Sequence, residues 1–125
     1  ELCGYTAHPP HRDILKSALG SSEYVPWNAH ENAPDAIHSL RQNGFKIAAI
    51  EQVAESTPLQ DWQPNPDESW AFVFGNEVRG VEADTTALCD MAIEIPQFGA
   101  KQSLNVSVCG GILLWEAAHK MKFPF

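Results

Sequence analysis

The chain has 125 residues, a formal net charge of −8 and three cysteines. A chain of this length buries about two thirds of its unfolded surface, so a single domain can fold without disulfides. The acidic balance argues against a simple nucleic-acid binder, although one basic face on an acidic domain would be enough to bind RNA. The sequence contains no apolar run long enough to cross a membrane.

The cysteines are odd in number and lack the spacing of a zinc site. Cys89 and Cys109 lie in apolar, helical contexts. We therefore predict reduced thiols and a cytoplasmic location, because disulfides persist mainly in oxidising compartments. His8 and His11 lie near Cys3, but no fourth ligand has suitable spacing. We favour a solvated loop here over a metal site and predict no metal.

The first part of the chain predicts short elements. Residues 1–6 resemble the end of a strand rather than a leader, so we expect a segment to precede them. Residues 11–19 predict a helix that begins close to Pro10 and ends at Gly20. Residues 23–27 predict a short edge strand, since their proline cannot sit in a central strand.

Arg12 and Lys16 lie four residues apart on one face of the first predicted helix. They form either an ordinary solvated face or part of a patch that faces RNA. We favour the solvated face.

The middle of the chain predicts an α/β fold. Residues 34–43 predict an amphipathic helix, residues 45–50 a strand, and residues 55–69, with three prolines, a surface loop. Helices that alternate with apolar strands predict a mainly parallel sheet with helices on both faces. We find no internal repeat, so we interpret residues 1–125 as one domain.

A continuous apolar run at residues 70–74 predicts a central parallel strand, and a glycine-bearing loop at residues 75–80 follows its carboxyl end. Open α/β sheets bind ligands at this edge. Glu77 stands where a dinucleotide loop needs a glycine, and no Walker lysine follows. A nucleoside-type ligand without phosphates is therefore the better fit.

The C-terminal part predicts a second strand, a loop and a long helix. The strand covers residues 91–95, the loop covers residues 97–102, and the helix runs from Ser103 to Lys122 with Ser103 or a neighbour as its cap. Apolar side chains along one face of this helix are Leu104, Val108, Ile112 and Trp115. Gly110-Gly111 inside a helix is best explained by another backbone that packs closely, within the domain or across a dimer.

Two of these segments resemble a known family. FGNEVRGVE and IEIPQFGAKQSLNVSVCGGILLWE are similar to the second and third motifs of the SpoU/TrmH family of RNA ribose 2′-O-methyltransferases, in the SPOUT or α/β-knot superfamily. Two motifs at the family's spacing make the resemblance specific. LCGYTAHPPH, followed by KSALG, resembles one branch of the family, so the resemblance covers nearly the whole chain.

The resemblance implies a C-terminal deep trefoil knot, a fold that general rules of topology would reject. It also implies that S-adenosylmethionine binds in the knot loops, largely through backbone groups. The cofactor contacts would then be Gly75, Ile95 and Leu104, with Asn76, Pro96 and Gln97 in the same wall. Family members are homodimers whose knots pack together, which would give Gly110-Gly111 its close neighbour.

The resemblance further implies methyl transfer to a ribose 2′-hydroxyl of tRNA or rRNA. Glu77, Ser103 and Asn105 match the polar positions that shape the site and hold the target ribose. The family's first motif, whose arginine is assigned to activating the hydroxyl, has no counterpart in the sequence. We therefore expect an N-terminally truncated SpoU-type domain that binds the cofactor but is inactive alone.

Two other classes of function stay open. One is a non-catalytic RNA-binding or assembly module that keeps the knot and the cofactor pocket. The other is a small α/β nucleotide-binding protein that does not transfer methyl groups.

Overall fold

The computed structural model of the protein describes residues 1–100 and 103–123. The chain divides into two compact units, Glu1–Ser39 and Leu40–Phe125. The expectation of one domain over residues 1–125 stays a prediction. No helix within the described residues is long and apolar enough to cross a membrane.

The first unit contains a small parallel pair of strands. Strand β1 (Leu2–Cys3) pairs with β2 (Ala29–His30). Helix α1 (Arg12–Ala18) and a short 3-10 helix (Ser21–Glu23) lie between them in the chain. Helix α2 (Ala33–Gln42) follows β2 and includes the boundary between the two units.

The prediction of a strand at residues 23–27 is wrong. The amide nitrogens of Tyr24 and Val25 donate to the carbonyl of Ser21, at 3.1 and 3.0 Å, so the chain turns here instead of extending. Pro26 has no amide hydrogen to give to a strand ladder. The strand forms only after it, at β2.

The histidines near the start of the chain have local roles. His11 is the N-cap of α1, and its Nδ1 accepts from the amide of Asp13 at 3.3 Å. The ring of His8 stacks on that of Trp27, with 5.5 Å between the ring centroids. Within the described residues, no group of three His, Cys, Asp or Glu side chains is arranged to hold a metal ion.

The second unit contains a four-stranded parallel sheet. Strand β3 (Phe45–Ile50) has the predicted bounds and lies between β5 (Ser69–Phe74) and β6 (Met91–Glu94). The strand order is β4-β6-β3-β5. The predicted α/β class with a parallel sheet is therefore confirmed.

The predicted loop over residues 55–69 contains a strand. Strand β4 (Thr57–Pro58) pairs with the end of β6 and lies at the edge of the sheet. Two residues with a proline give too weak a pattern to be recognised in sequence. An edge position tolerates Pro58, since its missing amide hydrogen leaves no unfilled acceptor inside the sheet.

The segment between β5 and β6 contains helix α3 (Ala83–Ala87). Asp90, just after α3, fastens the start of β6 to other elements of the second unit. Its carboxylate accepts from the amide of Ile47 at 2.7 Å and from Arg41 Nη2 at 2.8 Å. Arg41 also donates to the carbonyl of Leu88 at 2.7 Å.

The core of the second unit lies between the sheet and helix α4 (Val106–Lys120). The fully buried large side chains of this core are Ile93 and Leu113. Trp62 is 2% exposed and meets the rings of Trp70 and Phe72 edge-on, at centroid distances of 5.4 and 5.6 Å.

The prediction for the C-terminal helix is right in place and wrong in detail. The helix begins at Val106 and its cap is Asn105, not Ser103. Leu113 and Ala117 are its buried residues. The four apolar residues predicted along one face are instead 38–66% exposed: Leu104, Val108, Ile112 and Trp115. Since most positions of this helix are apolar, periodicity cannot show which side faces the core.

Among the residues that the structure describes, no second backbone packs against the glycines of α4. A side-chain carbon built on Gly110 would lie 3.9 Å from Cζ of Phe74, an ordinary contact. One built on Gly111 would meet no described atom within 4 Å. An intramolecular explanation of the pair is therefore not supported.

Lys120 anchors the last turn of α4. Its Nζ donates to the carbonyls of Leu59, Gln60 and Trp62 at 3.0, 2.8 and 2.7 Å. A lysine ammonium has three hydrogens, so all of them are used. The carboxylate of Glu116 lies 3.3 Å from the same nitrogen and balances its charge.

We predict that Lys120→Met destabilises the protein by about 3 kcal/mol, because three carbonyls lose a charged donor. The matched control is Lys122→Met, which removes an exposed lysine two residues later and should change stability by less than about 0.5 kcal/mol. Urea unfolding followed by circular dichroism measures both. Equal midpoints for the two variants would show that the Lys120 contacts contribute nothing.

Candidate functional site

A cavity of about 580 Å³ lies at the carboxyl ends of β3, β5 and β6. Its walls are the residues that follow these three strands and the segment that begins α4. They are residues 50–52, 74–80, 93–95, Gln97, residues 103–106 and Cys109. Parallel strands end at the same edge of a sheet, so three chain segments that are far apart in sequence meet here.

The cavity brings together all but one of the predicted site residues. Those that line it are Gly75, Asn76, Glu77, Ile95, Gln97, Ser103, Leu104 and Asn105. Pro96 is not among the lining residues, although both of its neighbours in the chain are.

The loop after β5 is closed by contact between two glycines. A side-chain carbon on Gly75 would lie 1.8 Å from the carbonyl carbon of Gly80. Gly80 itself has φ +65°, in the left-handed region that L side chains rarely adopt. Glycine is therefore required at both ends of this loop.

Asn76 shapes the same loop through its side chain. Its Oδ1 accepts from the amides of Val78 and Arg79 at 2.9 and 2.8 Å. Its carbonyl accepts from the amide of Gly80 at 3.0 Å. The side-chain oxygen thus serves as a turn acceptor, the role that asparagine commonly has in such loops.

Glu51 is a residue of this site that the sequence reasoning missed. It follows the last residue of β3, and one carboxylate oxygen accepts from the amide of Val81 at 2.8 Å. The other accepts from the amide of Gln52 at 3.1 Å. The available signal was an acidic residue directly after a buried strand, since this position faces the ligand edge in an α/β sheet.

The start of α4 is held by Asn105. Its Oδ1 accepts from the amide and the hydroxyl of Ser107, at 2.9 and 2.6 Å. This is an N-cap with one extra side-chain contact. Ser103, Asn105 and Glu77 are exposed, so their polar groups are open to a large substrate.

The charged groups in the lining are mostly acidic. Glu51, Glu77 and Glu94 bring three carboxyl groups, and Arg79 brings one guanidinium, which lies 3.9 Å from Glu82. Glu94 accepts from the hydroxyl of Ser56 at 2.9 Å. Within the described residues the cavity offers no lysine, so it lacks the cluster of positive charge that a polyphosphate needs.

Cys109 lies in the first turns of α4 and lines the cavity. Burial raises the pKa of its thiol, and the nearby negative charge of Glu51 raises that pKa further. The thiol therefore stays protonated at neutral pH, which makes it a poor nucleophile.

The sequence of this chain is similar to those of known RNA methyltransferases. The model of the SpoU rRNA Methylase family matches residues 2–115. A tRNA (guanosine(18)-2′-O)-methyltransferase of Borreliella burgdorferi is 31% identical over 104 residues, which are 83% of this chain and 47% of that protein. A 23S rRNA (guanosine-2′-O-)-methyltransferase of Neisseria meningitidis is 35% identical over 103 residues, 82% of this chain and 40% of that protein.

A solved structure is similar over the same extent. It is an AdoMet-bound rRNA methyltransferase from Sinorhizobium meliloti, with a TM-score of 0.83 and 26% identity, and the match covers 94% of this chain and 44% of that one. The chain thus spans less than half the length of these relatives. Since the family model covers nearly all of the sequence and two relatives exceed 30% identity, the chain belongs to the SpoU rRNA Methylase family.

Proposed function

We propose that the protein transfers the methyl group of S-adenosylmethionine to a ribose 2′-hydroxyl of tRNA or rRNA. The observation that carries this proposal is the cavity where the glycine loop after β5, the loop after β6 and the Asn105 cap of α4 meet. Membership of the SpoU family and the names of the relatives support the same reaction.

The cavity fits the cofactor by size and by chemistry. Its volume of about 580 Å³ lies within the range of ordinary small-molecule sites. Gly75 and Gly80 leave backbone exposed where any side chain would intrude. Ile95 and Leu104 add apolar surface on the other side. A nucleoside without phosphates suits this lining better than a nucleotide.

The residues of this chain bind the cofactor, orient the ribose and take part in removing the hydroxyl proton. S-adenosylmethionine supplies an electrophilic methyl group when bound. Gly75, Ile95 and Leu104 would hold the cofactor. Because Oδ1 of Asn105 is used in capping α4, its amide Nδ2 is the group that we assign to the ribose. Holding the hydroxyl in line supplies much of the acceleration of a displacement reaction.

Glu77 has the exposed carboxylate that can accept a hydrogen bond from the ribose hydroxyl. We assign it to ribose orientation, together with Ser103, which also lines the cavity. Removal of the hydroxyl proton needs a base or a nearby cation. Arg79 is the cationic side chain among the described lining residues, and its side chain is 74% exposed.

We also propose that α4 is threaded through a loop as a trefoil knot and that helices cover both faces of the sheet, as the family resemblance implies. The all-parallel order β4-β6-β3-β5 supports the proposal. So does Lys120, which holds the end of α4 against residues 59–62.

The exposed apolar side of α4 supports a homodimer. Val108, Ile112 and Trp115 are 51, 41 and 66% exposed and share one side of a helix whose buried residues are Leu113 and Ala117. Open space over Gly111 would let a second backbone approach closely. We propose that a second copy of the chain covers this surface, and that the protein works in the cytoplasm, where its three unpaired cysteines stay reduced.

The first prediction for the site concerns cofactor binding. The chain should bind S-adenosylmethionine, and Gly75→Ala should weaken binding at least about tenfold, since the new methyl group must push the loop aside. Gly99→Ala is the matched control, because a side-chain carbon there meets no described atom within 4 Å. Calorimetry and ligand-induced thermal shifts measure both.

Unchanged affinity in a folded Gly75→Ala variant would show that the cofactor does not lie against this loop. No heat and no thermal shift for the unmodified chain at millimolar ligand would contradict the cofactor assignment itself.

The second prediction concerns catalysis. Asn105→Asp keeps the oxygen that caps α4, because aspartate caps helices as well as asparagine does, but it loses the Nδ2 donor. We expect folding and cofactor affinity to be kept and methyl transfer to fall by about 10²-fold. The assay follows labelled methyl groups into bulk tRNA and rRNA, using the product of the complete reading frame that encodes this chain.

Alkali-resistant linkages in the labelled RNA would identify the ribose as the acceptor. Transfer at the normal rate by Asn105→Asp would remove Nδ2 from the mechanism. Cofactor binding without any transfer by the unmodified protein would favour a non-catalytic RNA-binding module.

The third prediction concerns assembly. Val108→Asp should convert the dimer to a monomer at micromolar concentration, because a buried unpaired carboxylate is strongly unfavourable at an apolar interface. Val53→Asp is the control, with the same change at a residue that is 39% exposed and lies outside α4. Sedimentation velocity distinguishes them. A monomeric unmodified protein would contradict the proposal.

A further inference from the structure

We propose that Glu51 is the residue by which the cavity distinguishes the positively charged methyl donor from its neutral demethylated product. The inference rests on the proposed function, since it assigns S-adenosylmethionine to this cavity. It gives a role to a carboxylate that the reaction itself does not use.

Position is the first reason. Glu51 lines the cavity at the carboxyl end of β3, between the two strands that carry the glycine loop and the Ile95 loop. Its backbone is fixed as well, because its amide donates to the carbonyl of Ile93 at 3.1 Å. The charge therefore sits on a half-buried residue directly after a central strand.

The side chain is also fixed in orientation. The amides of Val81 and Gln52 donate to its two oxygens at 2.8 and 3.1 Å. Gly80 has no side chain at the point where Glu51 lies, and a carbon built there would be 2.1 Å from one carboxylate oxygen. A carboxylate held in this way acts on a ligand without first losing side-chain entropy.

The other charges of the lining are less suited to the task. Glu77 is on the exposed loop, where solvent screens it. Glu94 lies on β6 next to the edge strand β4, and its carboxylate accepts from the hydroxyl of Ser56 just before β4, on the side of the sheet away from the glycine loop. Arg79 is the cationic side chain among the described lining residues, and it is 74% exposed and lies near Glu82. Among these charged groups, the half-buried carboxylate of Glu51 is therefore the one best placed to interact with a positive charge on a ligand.

The thiol of Cys109 lies near the same carboxylate. Burial raises the pKa of Cys109, and the charge of Glu51 raises that pKa further. A field that disfavours a thiolate favours a cation at the same place. Cys109 lines the cavity, so the field extends into the space that a ligand would fill.

The reaction changes the charge of the bound molecule. During transfer the sulfur–methyl bond breaks, an oxygen–methyl bond forms, and the ribose hydroxyl gives its proton to solvent water. The sulfur keeps the electron pair of its bond, so a sulfonium cation becomes a neutral thioether. A fixed carboxylate nearby stabilises the first and not the second. Loss of the positive charge on transfer therefore weakens binding of the product and favours its release.

The test compares three ligands on four proteins. The ligands are S-adenosylmethionine, S-adenosylhomocysteine and sinefungin, which carries a protonated amine in place of the sulfonium. The proteins are the unmodified chain, Glu51→Gln, Glu51→Asp and Glu55→Gln. Glu55 is exposed and outside the cavity lining, so its variant changes net charge equally without touching the site.

We expect Glu51→Gln to lower the preference for S-adenosylmethionine over S-adenosylhomocysteine about fivefold, which is equivalent to about 1 kcal/mol. The affinity for sinefungin should fall in Glu51→Gln as the affinity for S-adenosylmethionine does, because both ligands carry a positive charge. Glu51→Asp keeps the charge and should keep the preference, even if the loop loosens and both affinities fall. Glu55→Gln should match the unmodified protein. Raising the salt concentration should reduce the preference of the unmodified protein, because ions screen it.

Equal weakening of all three ligands by Glu51→Gln would overturn the inference and leave Glu51 as a support for the loop. An unmodified protein that binds donor and product equally would also overturn it while leaving the proposed function intact. An unmodified protein that binds none of the three would contradict the proposed function, and the inference would fail with it. Circular dichroism on each variant shows that the fold is retained.

Discussion

Parallel pairing of β3 with both β5 and β6 is the constraint on which the site depends. Ile50 at the end of β3 lies beside Phe74 of β5 and Ile93 of β6. Three strands therefore end at one edge, and the loops that follow them share one cavity. A shift of one residue in either pairing would move the glycine loop away from the loop after β6 and turn the side chains of the shifted strand to the other face.

Polar contacts to backbone then set the shape of that edge. Asn76 bonds to two amides of its own loop, and Glu51 reaches the amide of Val81 from a neighbouring strand. Asn105 does the same for the first turn of α4. Each contact pairs a backbone donor of the loop or helix end, and a typical hydrogen bond contributes about 0.5–1.5 kcal/mol. The site is thus held by the backbone and leaves several side chains exposed to a substrate.

Charged side chains fasten distant segments of the second unit in a similar way. Lys120 bonds to three carbonyls near residue 60. Asp90 accepts hydrogen bonds both from Arg41 and from the amide of Ile47 in β3. Their partners lie 43 to 61 positions away in the chain. The sequence shows a lysine at a helix end and an aspartate in a turn, both of which have common local explanations. Only the folded chain shows which distant carbonyls and amides they meet.

The sequence by itself determined the α/β class, the bounds of β3 and the family, because a run of buried apolar residues and two specific motifs are local patterns. The family resemblance named most of the cavity residues, and the rule that loops after parallel strands meet at one edge explains why they lie together. Tertiary structure alone decided the part of Glu51, whose partner Val81 lies thirty positions away. It also decided which side of α4 is buried. Most positions of that helix are apolar, so periodicity does not identify its buried side. The shape of the core around Leu113 determines which residues are buried.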